Sequence, residues 1–300
     1  MESISGRLNM GQWMGAPIRF TEWNPGAWQV NRWLLAGLFG LLFGLGAREV
    51  RRFENLAARD IGSKLTGENV KVDVKTELNG IIGGALGDLK KVTIRASDFS
   101  TPGLPLFTEP ERSKKGIVRE LNLILDRFHL GGLAIDHLEA SIPDCRFDYS
   151  LAMRKKEIRL SQSGIGTGYV RIKEKDLERF VLLKFKEIKR VSVVIRDHKI
   201  FVEGYGEFLI VKTDFLVIAS IEPVDGTKLA LTDAYILFGG MKAPPEAAKA
   251  LLDTLNPVVD LSKDLGLLDA IKVKRIKLIN GLLEAWGETK IPEKPQVESP

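Results

Sequence analysis

Apolar and polar residues alternate along most of this chain with a period of two. Val70, Val72 and Val74 interleave with Lys71, Asp73 and Lys75, the pattern of a strand with one buried face. Val92, Ile94 and Ala96 repeat it, as do Leu121, Leu123 and Leu125, then Leu133 and Ile135, with Leu138 to Ile142 following more loosely. Phe147, Tyr149 and Leu151 run to a charged tip at Arg154-Lys155-Lys156-Glu157, and Ile158 and Leu160 return. Val191, Val193 and Ile195 turn at Asp197-His198-Lys199 into Ile200 and Val202. Phe208 to Ile221 and Leu229 to Phe238 flank Asp225-Gly226, a hairpin signal. Ile271 to Leu278 and Leu282 to Trp286 complete the series.

Three stretches break into a helical period. Val50, Phe53, Ala57, Ile61 and Leu65 share one face of a helix spanning 49–65, which Thr66-Gly67 ends. Leu177, Phe180, Val181 and Phe185 predict a second helix over 173–185. Pro244-Pro245 opens a third, with Ala247, Leu251, Leu252 and Leu255 as its apolar side and Asn256-Pro257 as its stop. The expected fold is α+β: a long curved antiparallel sheet wrapping one or more long helices, preceded by an apolar N-terminal helix.

That apolar helix is the run Trp33 to Ala47, WLLAGLFGLLFGLGA, which carries no charge and is closed by Arg32 on one side and Arg48, Arg51 and Arg52 on the other. As a helix it spans about 22 Å, short of the roughly 30 Å of bilayer hydrocarbon. It fits an uncleaved membrane anchor, with Trp33, Leu34, Leu38, Phe39, Leu42 and Phe43 facing lipid. A cleaved signal and a buried core helix are the alternative readings. Trp13, Trp23 and Trp28 precede it, as in an interfacial belt. The chain therefore divides into an irregular segment 1–32, the apolar helix 33–47, a domain 48–291 and a disordered tail 292–300.

Composition narrows the function. With 44% hydrophobic and 28% charged residues in 300, the body is globular rather than disordered. The net charge of +5 favours anionic surfaces mildly, and no basic block is dense enough to indicate nucleic acid. Cys145 is the only cysteine, so no intrachain disulfide forms. His129, His137 and His198 stand in no metal-ligand spacing. Asp144, Cys145 and Asp148 lack a positioned base. The glycines of Ser161 to Gly168 and of Gly80 to Gly87 lack the strand and helix context of a phosphate loop and read as turns. Asp176 and Glu178 sit at a helix start, where the macrodipole favours them. No catalytic constellation emerges, and no cofactor is expected.

The order of features resembles one family. A basic amphipathic helix leads into V-K-V-D-V, then L-K-K-V-T-I, I-K-E-K-D-L-E-R, A-L-L-D-T-L-N-P-V-V-D-L and I-K-V-K-R-I-K-L-I-N-G-L-L-E-A-W-G. Across residues 49–290 the chain is similar to the LmeA family of bacterial phospholipid-binding envelope proteins. The most specific pieces are Leu255-Asn256-Pro257-Val258-Val259-Asp260 and the strand Gly281 to Gly287. The resemblance implies a tubular lipid-binding-like domain without enzymatic activity, holding phospholipid in an apolar groove between sheet and helices. Candidate groove side chains are Phe53, Ile61, Phe180, Leu183, Leu251 and Leu255. Arg48, Arg51, Arg52 and Arg59 are candidates for an anionic headgroup or the membrane surface. The family implies the outer, periplasmic face of the cytoplasmic membrane, whereas the basic excess after the apolar run argues for the cytoplasmic side. The alternative function is a solid-cored scaffolding protein of the envelope that binds a protein partner.

Overall fold

A computed structural model describes residues 65–80, 87–102, 116–148, 160–208, 211–267 and 269–291, with Arg51, Glu54, Asn55, Ala58, Arg59, Ile61, Gly62 and Ser63 before them. The expected apolar helix 33–47, and with it Trp33, Leu34, Leu38, Phe39, Leu42 and Phe43, lies outside the described residues, as do the hairpin tip 149–159 and the tail from 292.

The alternating stretches build two sheets. The larger has nine strands, with its main path running β1 (Lys71–Leu78), β2 (Asp88–Ser97), β4 (Gly116–Leu130), β5 (Leu133–Phe147), β7 (Gly166–Lys173), β15 (Leu282–Thr289) and β14 (Ile271–Ile279). Short strands β3 (Ser100–Thr101) and β6 (Leu160–Gln162) add to β4 and β5. The smaller sheet has six strands. Its meander runs β8 (Ile188–Arg196), β9 (Lys199–Phe208), β10 (Val211–Val224), β11 (Lys228–Phe238) and β12 (Met241–Lys242), and β13 (Val259–Asp260) pairs with β11. Helices α1 (Glu174–Lys184) and α2 (Pro245–Leu255) have eleven residues each.

This is a sheet-dominated α+β fold, but not one antiparallel sheet. β2 and β4 run parallel, in register from Asp88↔Ile117 to Ser97↔Asp126. The chain between Thr101 and Gly116 is long enough for the crossover that a parallel pair needs. Two bidentate pairs fasten this junction: Arg119 donates to both oxygens of Asp88 at 2.8 and 2.6 Å, and Arg127 to both of Asp98 at 2.8 Å each. The Arg127 and Ser97 bonds hold the Asp98 carboxyl at about 2, below the usual carboxylate range.

Hairpins form where the backbone turns left-handed. Gly131-Gly132, Asp197-His198 and Asn280-Gly281 have positive φ at both central residues and close two-residue turns between β4 and β5, β8 and β9, and β14 and β15, matching the strand twist.

One edge of each sheet is capped by helix carboxylates. On α1, Glu174 and Glu178 accept the amides of Ile195 and Val193 at 2.8 and 3.1 Å. Both amides belong to the outermost strand of the smaller sheet. The 51–62 stretch, helical at its described positions, repeats the device: Glu54 accepts the amide of Thr76 on edge strand β1 at 2.7 Å. Residues four apart on a helix lie on one face and so reach alternate amides of a strand. Occupied edge amides no longer recruit another chain.

Two apolar clusters result. The larger joins the two sheets to α1 and α2, with Phe128, Leu133, Phe180, Val193, Val217, Leu251 and Leu255 all deeply buried. The smaller joins Ile61 to Val74, Leu89, Val118, Cys145 and Phe147 at the other end of the nine-stranded sheet.

Candidate functional site

Within the larger cluster the inner face of the large sheet changes character. Pairing aligns Leu123, Ala140, Gly168, Gly287 and Val273 in one row across β4, β5, β7, β15 and β14. The next row is Leu125, Leu138, Val170, Ala285 and Ile276. Paired residues project to the same side. The middle of the sheet therefore offers hydrogen or methyl where its neighbours offer Leu and Val. An apolar groove of about 80 Å³ opens there, lined among others by Leu123, Leu138, Ala140, Val170, Val273 and Ala285.

The glycines serve close approach. A Cβ on Gly287 would stand 2.2 Å from the Lys272 carbonyl oxygen, and one on Gly168 would stand 2.7 Å from the Thr289 methyl. At this place β14 carries a register shift between Val273 and Arg275, and a bulge bends its strand and increases the twist. Thr289, whose side chain thus stands over Gly168, lines the same groove. It is 5% exposed, and its hydroxyl has no hydrogen-bond partner among the described residues.

The opposite face of these strands is polar. His137 Nδ1 lies 2.6 Å from Asp126 and Nε2 3.1 Å from Glu139. Burial opposes protonation of this imidazole, but the two carboxylates outweigh it and raise its pKa above the ordinary value. Tyr169 donates to Glu284 at 2.6 Å; burial first, and this bond second, push the phenol up. Arg171 donates to Asp136 at 2.7 Å, and Lys173 also reaches that carboxylate. The Arg275 guanidinium sits 4.3 Å over the Trp286 ring, which in turn lies 5.3 Å from Tyr169. These groups partner one another, as the outer face of a sheet requires.

The side chains proposed from sequence do not come together. Phe180, Leu251 and Leu255 are buried in the larger cluster, so the space between α1, α2 and the sheets is filled. Ile61 belongs to the smaller cluster. Leu183 is 59% exposed on α1, near Gly132. Phe53, Arg48 and Arg52 lie outside the described residues, while Arg51 and Arg59 are exposed. None of these six apolar residues is among those lining the groove. Cys145 is fully buried and donates weakly to the Ile142 carbonyl at 3.6 Å; burial pushes its thiol up to about 12, far from a reactive thiolate.

Sequence reasoning passed over Ala140, Gly168, Gly287 and Thr289. The stretch ending at Gly168 reads as a turn, yet Gly166 and Gly168 belong to β7 in the middle of the large sheet. The available signal was their spacing of two, which places both on one strand face. The motif Leu255 to Asp260 is architectural. Asn256 pairs through its side chain with the amide and carbonyl of Leu231 at 2.8 and 3.1 Å. Lys184 donates to the carbonyls of Pro257 and Val258 and to Asp264 at 2.8, 3.1 and 2.6 Å.

Among the described residues no group of His, Cys, Asp and Glu is placed to hold a metal ion, and no helix is long and apolar enough to cross a membrane. The chain matches no protein-family model, no curated protein and no solved structure.

Proposed function

We propose that this protein binds phospholipid without catalysis, seating acyl hydrocarbon on the inner face of the nine-stranded sheet, at a bacterial membrane. The observation that carries the reading is the apolar groove on the inner face of the nine-stranded sheet, walled by Leu138, Ala140, Val273 and Ala285 of the larger cluster and Ile142 of the smaller. Ordinary packing fills such space with side chains, and here Gly168, Gly287 and Ala140 leave it open. Each methylene seated there contributes about 0.8 kcal/mol. A short piece of chain supplies only part of the affinity, and headgroup contacts supply the rest. In this reading the curved sheet wraps the lipid tail, as in tubular lipid-binding domains. The run 33–47 tethers the domain to the cytoplasmic membrane or its periplasmic face, and Arg48, Arg51, Arg52 and Arg59 meet anionic headgroups.

The test is native mass spectrometry of the full chain after incubation with phosphatidylglycerol vesicles, together with vesicle flotation. A stoichiometric lipid adduct and co-flotation are expected. Bare protein that stays with the soluble fraction contradicts the proposal. The second reading, an envelope scaffold for a protein partner, draws on the filled space around α1 and α2; it expects no lipid adduct.

A further inference from the structure

Helix α1 recesses its acids and presents its cations. Glu174 and Glu178 hold the edge amides of β8, and Leu177, Phe180 and Val181 enter the core. The opposite side is the stripe Lys175, Arg179 and Leu182, spaced by four and three residues. Lys175 pairs with Glu178 and Arg179 with Asp176, both at 3.3 Å. The two cationic side chains are 65% and 73% exposed and their carboxylates only 21% and 14%, so positive charge stands outermost. Lys186 and Lys189, exposed just past the helix, extend that surface, with Glu187 as the single acid between them.

Two leucines interrupt the basic surface. Leu182 is 39% exposed and Leu183 59%. Leu183 lies by the turn between β4 and β5, where exposed Gly131 and Gly132 offer no side chain to cover it. Leucines set among cations suit a bilayer interface, with the charged heads at the phosphates and the apolar side chains below them. Single-stranded nucleic acid would engage aromatic rings, and the outer stripe of α1 has none.

We infer that the outer stripe of α1 docks on an anionic phospholipid surface, with Leu182 and Leu183 inserted beneath the headgroups. This goes beyond the groove: it concerns a different face of the domain and a bilayer surface rather than a seated lipid.

The test uses the full chain with Leu183→Cys carrying an environment-sensitive fluorophore. Cys145 is fully buried with its thiol pushed up to about 12, so the new cysteine takes the label. Vesicles of equal parts phosphatidylcholine and phosphatidylglycerol should shift the emission to the blue, and doxyl-labelled lipid should quench it; pure phosphatidylcholine should do neither. A label at Met241→Cys, on the far edge strand of the smaller sheet, should stay in water. The triple variant Lys175→Gln, Arg179→Gln, Lys186→Gln should need about tenfold more phosphatidylglycerol or worse for the same shift, with its melting temperature unchanged. A Leu183 label that stays in water while the protein floats with the vesicles overturns the inference and leaves membrane tethering standing. Equal insertion into neutral vesicles, or an undiminished shift in the triple variant, overturns the charge-led contact. A label shift with polyglutamate and none with vesicles overturns it in favour of an acidic protein partner. A lipid adduct in native mass spectrometry reports on the groove alone, so the two readings fail separately.

Discussion

The space between the two sheets and the middle of the nine-stranded sheet are built from the same alternation, yet one is closed and the other open. Between the sheets, inward positions carry Phe128, Leu133, Val193, Val217 and Phe180, all at most 3% exposed, and Phe99 stacks on Phe128 at 4.9 Å. In the middle of the large sheet the inward positions are Ala140, Gly168, Gly287 and Ala285. The strands pair through both regions, with one register shift in β14 beside the groove. The size of the inward residue, not the hydrogen-bonded frame, decides whether a sheet face becomes core or groove.

Truncation in the closed region should have the largest effect. Phe128→Ala removes a fully buried, stacked ring, and a loss of about 3–5 kcal/mol is expected in denaturant unfolding. Leu123→Ala, at the half-buried lip of the groove, should cost clearly less, because its side chain already borders open space. Equal losses at the two sites would erase the distinction between core and groove.

Additions to the glycine rows come next. Gly287→Ala drives a Cβ toward the Lys272 carbonyl, 2.2 Å away, and strain of this kind costs about 1–3 kcal/mol. Gly168→Ala meets only the Thr289 methyl, which can rotate, so its cost should be smaller. The ratio of the two, from thermal melts, tests whether Gly287 is fixed by backbone approach and Gly168 by a side chain.

Edge capping should be worth less again. Glu178→Ala frees the Val193 amide, and a loss of about 1 kcal/mol is expected. Amide hydrogen exchange should quicken at Val193 while Val217, in the middle of the same sheet, keeps its protection. Unchanged exchange at Val193 would mean that the carboxylate contributes nothing to closing that edge.

The smallest effect should be the pH dependence on the polar face. The pKa of His137 is raised in the folded protein, so its pairing with Asp126 and Glu139 stabilises fully below the unfolded value of about 6.5. That contribution is lost as pH rises through the higher folded value. Comparing wild type with His137→Gln from pH 5 to 8, the stability difference should shrink as pH rises. A difference that grows with pH would reverse the assigned linkage.

Much of the frame was legible in the sequence because strand period, turn chemistry and helix stops are local. Val191 to Val202 around Asp197-His198, the Asp225-Gly226 turn and both complete helices stand where their patterns place them. The parallel β2–β4 pair was not legible, since alternation does not state strand direction, and only the long connection from Thr101 to Gly116 hints at it. Nor was the groove. Helix faces such as Phe180, Leu251 and Leu255 look like ligand walls in sequence, but a facing sheet fills the space they point into. Gly166 and Gly168 look like a turn because glycine weakens a strand; their role depends on Gly287 and Thr289, far along the chain, and appears only once β7 and β15 are paired.

The contrast between closed core and open groove can be tested directly by methyl NMR of the full chain with doxyl-labelled stearate. A label near the chain terminus should broaden the methyl signals of Leu123, Leu138, Val170 and Val273, and leave those of Val193, Val217 and Leu251 sharp. Broadening that spares the groove methyls, or that falls equally on both sets, would contradict the assignment of this sheet face as the hydrocarbon site.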